Sequence, residues 1–191
     1  MYKYAIALIF VVFFVCPNVS AEEWTGNVNV LLGQKSLEED DWKPLEKQLE
    51  FAVEGDFKEK SWPVSITIGI VGTADKETIT LYSYDIEMEG TTSEINLGIK
   101  KIFDNSGIIR PFIGGGLSLI SAEIKATAEG VSVSTDDTGT GFWLSGGVYW
   151  TFDNHFNLGA EVKYSRAEGT FGDVDADMGG THLGALIGYH W

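Results

Sequence analysis

Apolar and polar residues alternate with period two along most of the chain, and this pattern leaves few folds open. In FNLGAEVKYS, Phe156, Leu158, Ala160, Val162 and Tyr164 share one face, opposite Asn157, Gly159, Glu161, Lys163 and Ser165. SEINLGIKKIF sets Ile95, Leu97 and Ile99 against Glu94, Asn96, Gly98 and Lys100. WPVSITIGIV sets Trp62, Val64, Ile66, Ile68 and Ile70 against Pro63, Ser65, Thr67 and Gly69. QLEFAVE and WTGNVNVLL behave the same way, with Leu49, Phe51, Val53, Trp24, Val28, Val30 and Leu32 on the apolar side. Residues 79–89, 109–122, 140–152 and 181–191 complete nine candidate strands. No helical stripe interrupts them, so the expected class is all-β and a single domain.

The N-terminus reads differently. Lys3 precedes an apolar run from Ala5 to Cys16, Pro17 breaks it, and Val19-Ser20-Ala21 supplies small residues. This is the form of a cleaved secretory signal over residues 1–21, with the mature domain expected over 22–191. The run is shorter than the ~20 residues of a membrane-spanning helix. Phe14 and Val15 argue against lipidation of Cys16, which is the only cysteine, so no disulfide is available. The net charge is −15, and losing a segment with one lysine and no acid makes it one unit more negative. That sign disfavours nucleic acid as a partner.

An alternating barrel can be soluble, with apolar residues inside, or membrane-bound, with apolar residues facing lipid. The polar face decides between them. It carries Gly69, Gly98, Gly114, Gly116, Gly147, Gly159, Gly184 and Gly188 among a few charges. Glycine weakens a water-exposed strand but makes room inside a narrow barrel. Trp62, Phe103, Trp150, Phe152, Phe156, Tyr189 and Trp191 all lie on apolar faces near tight turns, as an aromatic girdle would. Tight turns at 58–61, 104–107 and 153–155 alternate with long polar connections at 34–47, 123–139 and 167–179. These are expected to be periplasmic turns and extracellular loops. Sixteen membrane strands would need about 160 residues and leave almost nothing for loops. Eight strands fit, provided that residues 79–89 are an outward extension of the third and fourth.

With the signal segment, the eight-strand pattern, IIRPFIGGGLSL after a tight turn, NLGAEVKYS and the aromatic terminus, the chain resembles the small outer-membrane β-barrel family of OmpA/OmpX type. The resemblance implies a monomeric eight-stranded antiparallel up-and-down barrel in a Gram-negative outer membrane. It implies lipid and lipopolysaccharide as surroundings. It also implies that alternate residues Ile187, Tyr189 and Trp191 are read by the barrel-assembly machinery, although family members usually end in Phe. No peptidoglycan-binding domain is expected after the barrel, unlike in OmpA-like proteins.

The inward face offers Glu50, Glu54, Glu94, Lys100, Arg110, Glu161 and Lys163, with His182 and His190. Charges of both signs in so narrow a lumen are expected to pair into a plug. A narrow pore for small solutes is the second reading. A lipid-modifying enzyme is the third. It would need a serine and a histidine base within reach at a lipid-accessible place, and His155, His182 and His190 offer no such arrangement in sequence. No catalytic residue and no cofactor are therefore expected. GDVDADMGG places Asp173, Asp175 and Asp177 like the start of a calcium loop, but Met178 and Gly184 stand where that loop needs Gly and Glu. LEEDDW is a second acidic loop, and Trp42 in it is expected to pack under its own loop or to meet a partner. The expected role is structural or interactive, exercised through the loops.

Overall fold

The computed structural model describes residues 23–37, 42–81, 84–103, 107–153, 155–171 and 174–191. The signal segment and its cleavage point lie outside these. Eight long strands close into an antiparallel barrel: β1 (Trp24–Ser36), β2 (Lys47–Glu59), β3 (Ser65–Leu81), β4 (Tyr84–Ile102), β5 (Ile109–Ala128), β6 (Val131–Thr151), β7 (Phe156–Arg166) and β10 (Gly180–His190). Between β7 and β10, the short strands β8 (Glu168–Phe171) and β9 (Val174–Asp177) pair with each other as a separate hairpin. The ring closes where β1 meets β10, with Val30 opposite Ile187 and Lys35 opposite His182.

The alternation is realised as two surfaces of opposite character. Ile68, Leu97, Leu117, Leu144, Val162 and Leu183 stand on the outside, each about half exposed or more. The inside holds Glu50, Glu94, Lys100, Ser165 and His182, all nearly inaccessible. A soluble barrel would reverse this. On β4 the outward positions from Thr91 to Lys101 carry Ile95, Leu97 and Ile99 at their centre and Thr91, Ser93 and Lys101 at their ends. Ten residues of strand span about 33 Å, which at the usual tilt is about 25 Å of height, the thickness of an outer-membrane apolar band.

Glycines on the inner face make room for large inward side chains. A Cβ at Gly98 would meet the Trp143 ring and the Gly115 carbonyl, and one at Gly147 would meet the Phe112 ring and the Ala160 carbonyl. Phe112 and Tyr149 stack at 4.5 Å in the space so provided. Gly98→Ala is expected to destabilise the barrel by ~1–3 kcal/mol through overpacking. The check is its urea unfolding midpoint in lipid vesicles, and an unchanged midpoint would contradict the account.

Two connections differ from expectation. Residues 123–139 are not a loop. They continue β5 and β6 as a paired ribbon to Ala128 opposite Val131, turning through Glu129 (φ 49°) and Gly130 (φ 81°). Residues 79–89 are not a segment of one parity, because Leu81 pairs with Tyr84 and the chain reverses between them. Ile79 and Ile86 therefore share a face, which a straight count of twos cannot show. The assignment of this stretch to an outward extension of the third and fourth strands holds. Along β4, pairing with β5 also continues to Ile86 opposite Ala128. A four-stranded sheet thus rises beyond the barrel at the end opposite the tight turns.

Candidate functional site

The lumen holds two linked polar clusters. In the upper one, Lys35 Nζ donates to Glu94 Oε1 at 2.7 Å, to the Met178 carbonyl at 2.8 Å and to Thr92 Oγ1 at 3.1 Å. Lys163 approaches the other Glu94 oxygen at 3.8 Å. His182 sits between carboxylates, with Nδ1 hydrogen-bonded to Glu50 and Nε2 3.5 Å from Glu94. Gln48, Thr73 and Thr92 form a chain of side-chain bonds beside them.

In the lower cluster, Lys100 pairs with Glu54 and lies 3.8 Å from Glu161. It also donates to the Tyr149 hydroxyl at 3.1 Å and sits 4.3 Å over the Phe112 ring. Asn27 donates to Asp56 at 2.8 Å, Asn157 donates to Asn27 at 2.9 Å, and Thr151 joins Arg110 to Asn157. Buried charges persist best when paired and hydrogen-bonded, as Lys35, Glu94 and Lys100 are, whereas one Asp56 oxygen is buried without a protein partner.

Every residue of the sequence-predicted network faces this lumen, and Glu54 is the least buried of them. Two members were missed. Lys35 fell in the presumed loop 34–47, but β1 continues to Ser36. Asp56 lay past the segment as read, but β2 continues to Glu59. Counting on by twos from Asn27 and Asn29, or from Glu50 and Glu54, reaches both. Five carboxylates (Glu50, Glu54, Asp56, Glu94, Glu161) thus meet four cations (Lys35, Lys100, Arg110, Lys163) and a histidine. His190 lies further along β10 than His182. It lies near the tight-turn end, with Nδ1 2.9 Å from the Gly26 carbonyl.

Ser165 Oγ lies 2.9 Å from His182 Nε2, and His182 Nδ1 is held by Glu50. Serine, histidine and carboxylate therefore stand in the order that activates a nucleophile. The sequence hid this because the register is needed: Ser165 opposes Gly180, one strand over from His182. The surroundings oppose catalysis, however. Ser165 Oγ also donates to Glu94 at 3.2 Å, and Ser165, His182 and Glu50 are 0–2% exposed. No substrate carbonyl can reach that oxygen. A fluorophosphonate probe is expected to leave Ser165 unlabelled in the folded barrel, as mass spectrometry of the intact protein would show.

A cavity of about 20 Å³ lies against Asn29, Asn96, Trp143, Glu161 and Lys163. That is space for about one water molecule. Asn96 Oδ1 and Trp143 Nε1 are buried there without a protein partner.

Above the upper cluster, the lumen is roofed by Leu37, Trp42, Ile120, Ala122, Ala167 and Met178. Trp42 Nε1 donates to the Asp177 carbonyl at 2.7 Å, and its ring meets Phe171 edge-on at 5.8 Å. Trp42 therefore packs against the β8–β9 hairpin, beside Leu37. Asp177 closes that hairpin, accepting from Ala167 N at 3.2 Å and Gly179 N at 2.8 Å, with Arg166 at 3.3 Å. Asp175 accepts from Thr170 Oγ1. Asp173 lies outside the described residues. Asp175 and Asp177 are thus engaged in structure, and among the described residues no group of three or more potential ligands is placed to hold a metal.

The hairpin is tethered to the projecting sheet by Asp137, which accepts from the Thr170 amide at 2.6 Å. This bond and one from the Thr138 amide hold the Asp137 carboxyl below its ordinary value. A depressed value means that the tether contributes above the ordinary carboxylate value and is lost as pH falls through the depressed one. The protection of the Thr170 amide from solvent exchange, relative to its intrinsic rate at each pH, is expected to fall across that acid range, and in Asp137→Asn at neutral pH.

A family model described as Outer membrane protein beta-barrel domain matches residues 6–190. Among curated proteins, none matches the sequence. The fold is similar to that of Ail of Yersinia pestis, crystallised with the heparin analogue sucrose octasulfate, at TM-score 0.62, 16% identity, 88% coverage of this chain and 99% of that one. It is similar to Neisserial surface protein A at 0.56, 14%, 88% and 97%. It is also similar to the outer membrane protein OprG of Pseudomonas aeruginosa at 0.53, 9%, 88% and 95%. At these identities the likeness concerns the fold.

Proposed function

The chain belongs to the outer membrane protein β-barrel domain family, and from that premise we propose that it is a closed barrel whose role is structural or interactive at the cell surface. It resides in the outer membrane. The observation that carries the reading is the filled lumen, where carboxylates and cations close on one another under an apolar roof. A pore needs a continuous wet path, and the cavity against Asn29, Asn96 and Trp143, with space for about one water, is too small to be one. Activity then has to be exercised by what projects. The extended sheet and the β8–β9 hairpin would face outward, and the tight turns would face the periplasm.

We propose further that the barrel is monomeric in lipid and lipopolysaccharide. Ile187, Tyr189 and Trp191 would be the residues read during assembly. Ile187 and Tyr189 stand on the lipid side, and Trp191 exchanges backbone bonds of 3.1–3.2 Å with Gly26 at the seam. Trp191→Ala is expected to lower the inserted fraction in cells, while Trp191→Phe keeps it. Equal insertion of both would leave Trp191 only its seam contacts. The test of the main reading is electrical. The refolded protein in a planar bilayer is expected to give no steady conductance, and a steady open level would overturn it in favour of a narrow pore.

A further inference from the structure

Beyond the membrane, the alternation inverts. Within the lipid band, β3 to β6 turn apolar residues outward, as with Ile68, Leu97 and Leu117 along one rung. In the projecting sheet the outward positions become Lys76, Glu87, Glu89, Glu123, Lys125 and Asp136. The inner positions, continuous with the lumen face at Val71, Glu94 and Ile120, become apolar. One rung is Ile79, Ile86, Ala128 and Val131. The next is Glu77, Met88, Ala126 and Val133.

The lower part of this inner face is covered. Gly90 lies against Leu45 and Gln48, and Ile124 packs on the apolar roof. The upper part is not. Val131 and Val133 are each 70% exposed and Ile79 is 38% exposed. In water, valine at every second inner position buries nothing there, and threonine would hold the ribbon equally well. The neighbouring outward positions, Ser132 and Ser134, carry hydroxyls.

The charge around this face selects its occupant. Residues 75–89 and 123–137 carry nine carboxylates against two lysines, and Lys76 is already paired with Glu87 at 2.8 Å. Asp75 and Glu77 stand on the apolar face itself, on edge strand β3. A second copy would bring the same negative field against this one, and an anionic lipid surface would be repelled for the same reason. A neutral hydrocarbon would leave the carboxylates without a role. Four strands make a trough about 15 Å wide, and a helix with its side chains is about 10–12 Å across, with about ten residues covering that width.

We infer that the inner face of the projecting sheet is a docking surface for a cationic amphipathic peptide segment, which seats apolar residues on Val131, Val133, Met88 and Ile79 and lysines or arginines beside Asp75 and Glu77. This rests on the surface-interaction reading above and names the chemistry of the partner.

The test uses the full barrel in nanodiscs of zwitterionic phosphatidylcholine, with empty discs as the reference. The probe is a fluorescent amphipathic helical peptide of about fifteen residues made of leucine and lysine. A counterpart made of leucine and glutamate is the control. Anisotropy is expected to show saturable binding of the lysine peptide, weakened by salt, and none of the glutamate peptide. Val131→Thr/Val133→Thr keeps strand propensity at exposed positions and is expected to weaken binding about tenfold or more, as loss of a central anchor does. Asp75→Asn/Glu77→Gln is expected to weaken it and to flatten the salt dependence. Equal binding of the two peptides, or unchanged affinity of the valine double variant, would overturn the proposal. So would self-association of the barrel through a Val133→Cys crosslink. Heat-modifiable migration reports the folded barrel in the same discs. Lost docking with a folded, non-conducting barrel therefore rejects this inference alone, whereas steady conductance rejects the reading beneath it.

Discussion

Lys100→Met is expected to destabilise the barrel by ~3–5 kcal/mol, the usual cost of removing one partner from a buried charge set. Lys100 is fully buried and ties together three strands besides its own, through Glu54 on β2, Tyr149 on β6 and Glu161 on β7. Methionine fills a similar volume, so the loss is chiefly electrostatic: two carboxylates remain facing each other with no cation between them. Removing the whole set together is a different matter. Lys100→Met/Glu54→Gln/Glu161→Gln is expected to recover much of the loss, because an apolar or neutral replacement of an entire buried set is often nearly neutral. Urea unfolding in lipid vesicles, followed by tryptophan fluorescence and heat-modifiable migration, measures both. A single variant as stable as the wild type would mean that the lumen is wet enough to solvate those carboxylates. The plugged reading would then fail.

The sequence carried the parity of each strand but not its length or its neighbours. Inside the lipid band each outward position must be apolar, so a count of twos finds Leu97 and Glu94 without error. Past the band that requirement ends. The outward face meets water and the apolar positions move inward, so Val131, Val133 and Met88 looked like scattered residues in polar connections. The Glu129–Gly130 turn was hard to see for a related reason. A two-residue turn with both φ positive is usually announced by Asn-Gly or Asp-Gly, and glutamate is a weak signal for it.

Register was the other blind spot. Nothing local to NLGAEVKYS says that Ser165 will stand beside His182, or that Lys163 will oppose that histidine. Shear around a closed barrel sets those contacts, and it becomes definite only when every strand has a partner. Trp42 shows the same limit. Its burial depends on a hairpin more than a hundred residues away in the chain.

Leu97→Arg separates a lipid-facing surface from a water-facing one with a single residue. Leu97 is 55% exposed, at the middle of β4's apolar stretch, opposite Ile68 on one side and Leu117 on the other. No inward side chain depends on it, so the substitution opens no cavity and leaves the lumen network intact. On a water-facing barrel, arginine at such a position would change stability by no more than about 0.5 kcal/mol. In a bilayer, arginine near the midplane of a barrel's outer face costs ~2–4 kcal/mol, and the cost falls toward ~0–1 at the interface. The same substitution at Ile99, nearer the tight turns, should therefore cost less than at Leu97, and at Thr91, where the polar extension begins, almost nothing. That gradient, read from unfolding midpoints in vesicles of fixed lipid, follows from the depth of each residue along one strand. A flat series would mean that the exposed leucines and isoleucines do not meet hydrocarbon, and the membrane placement of the barrel would fail with it.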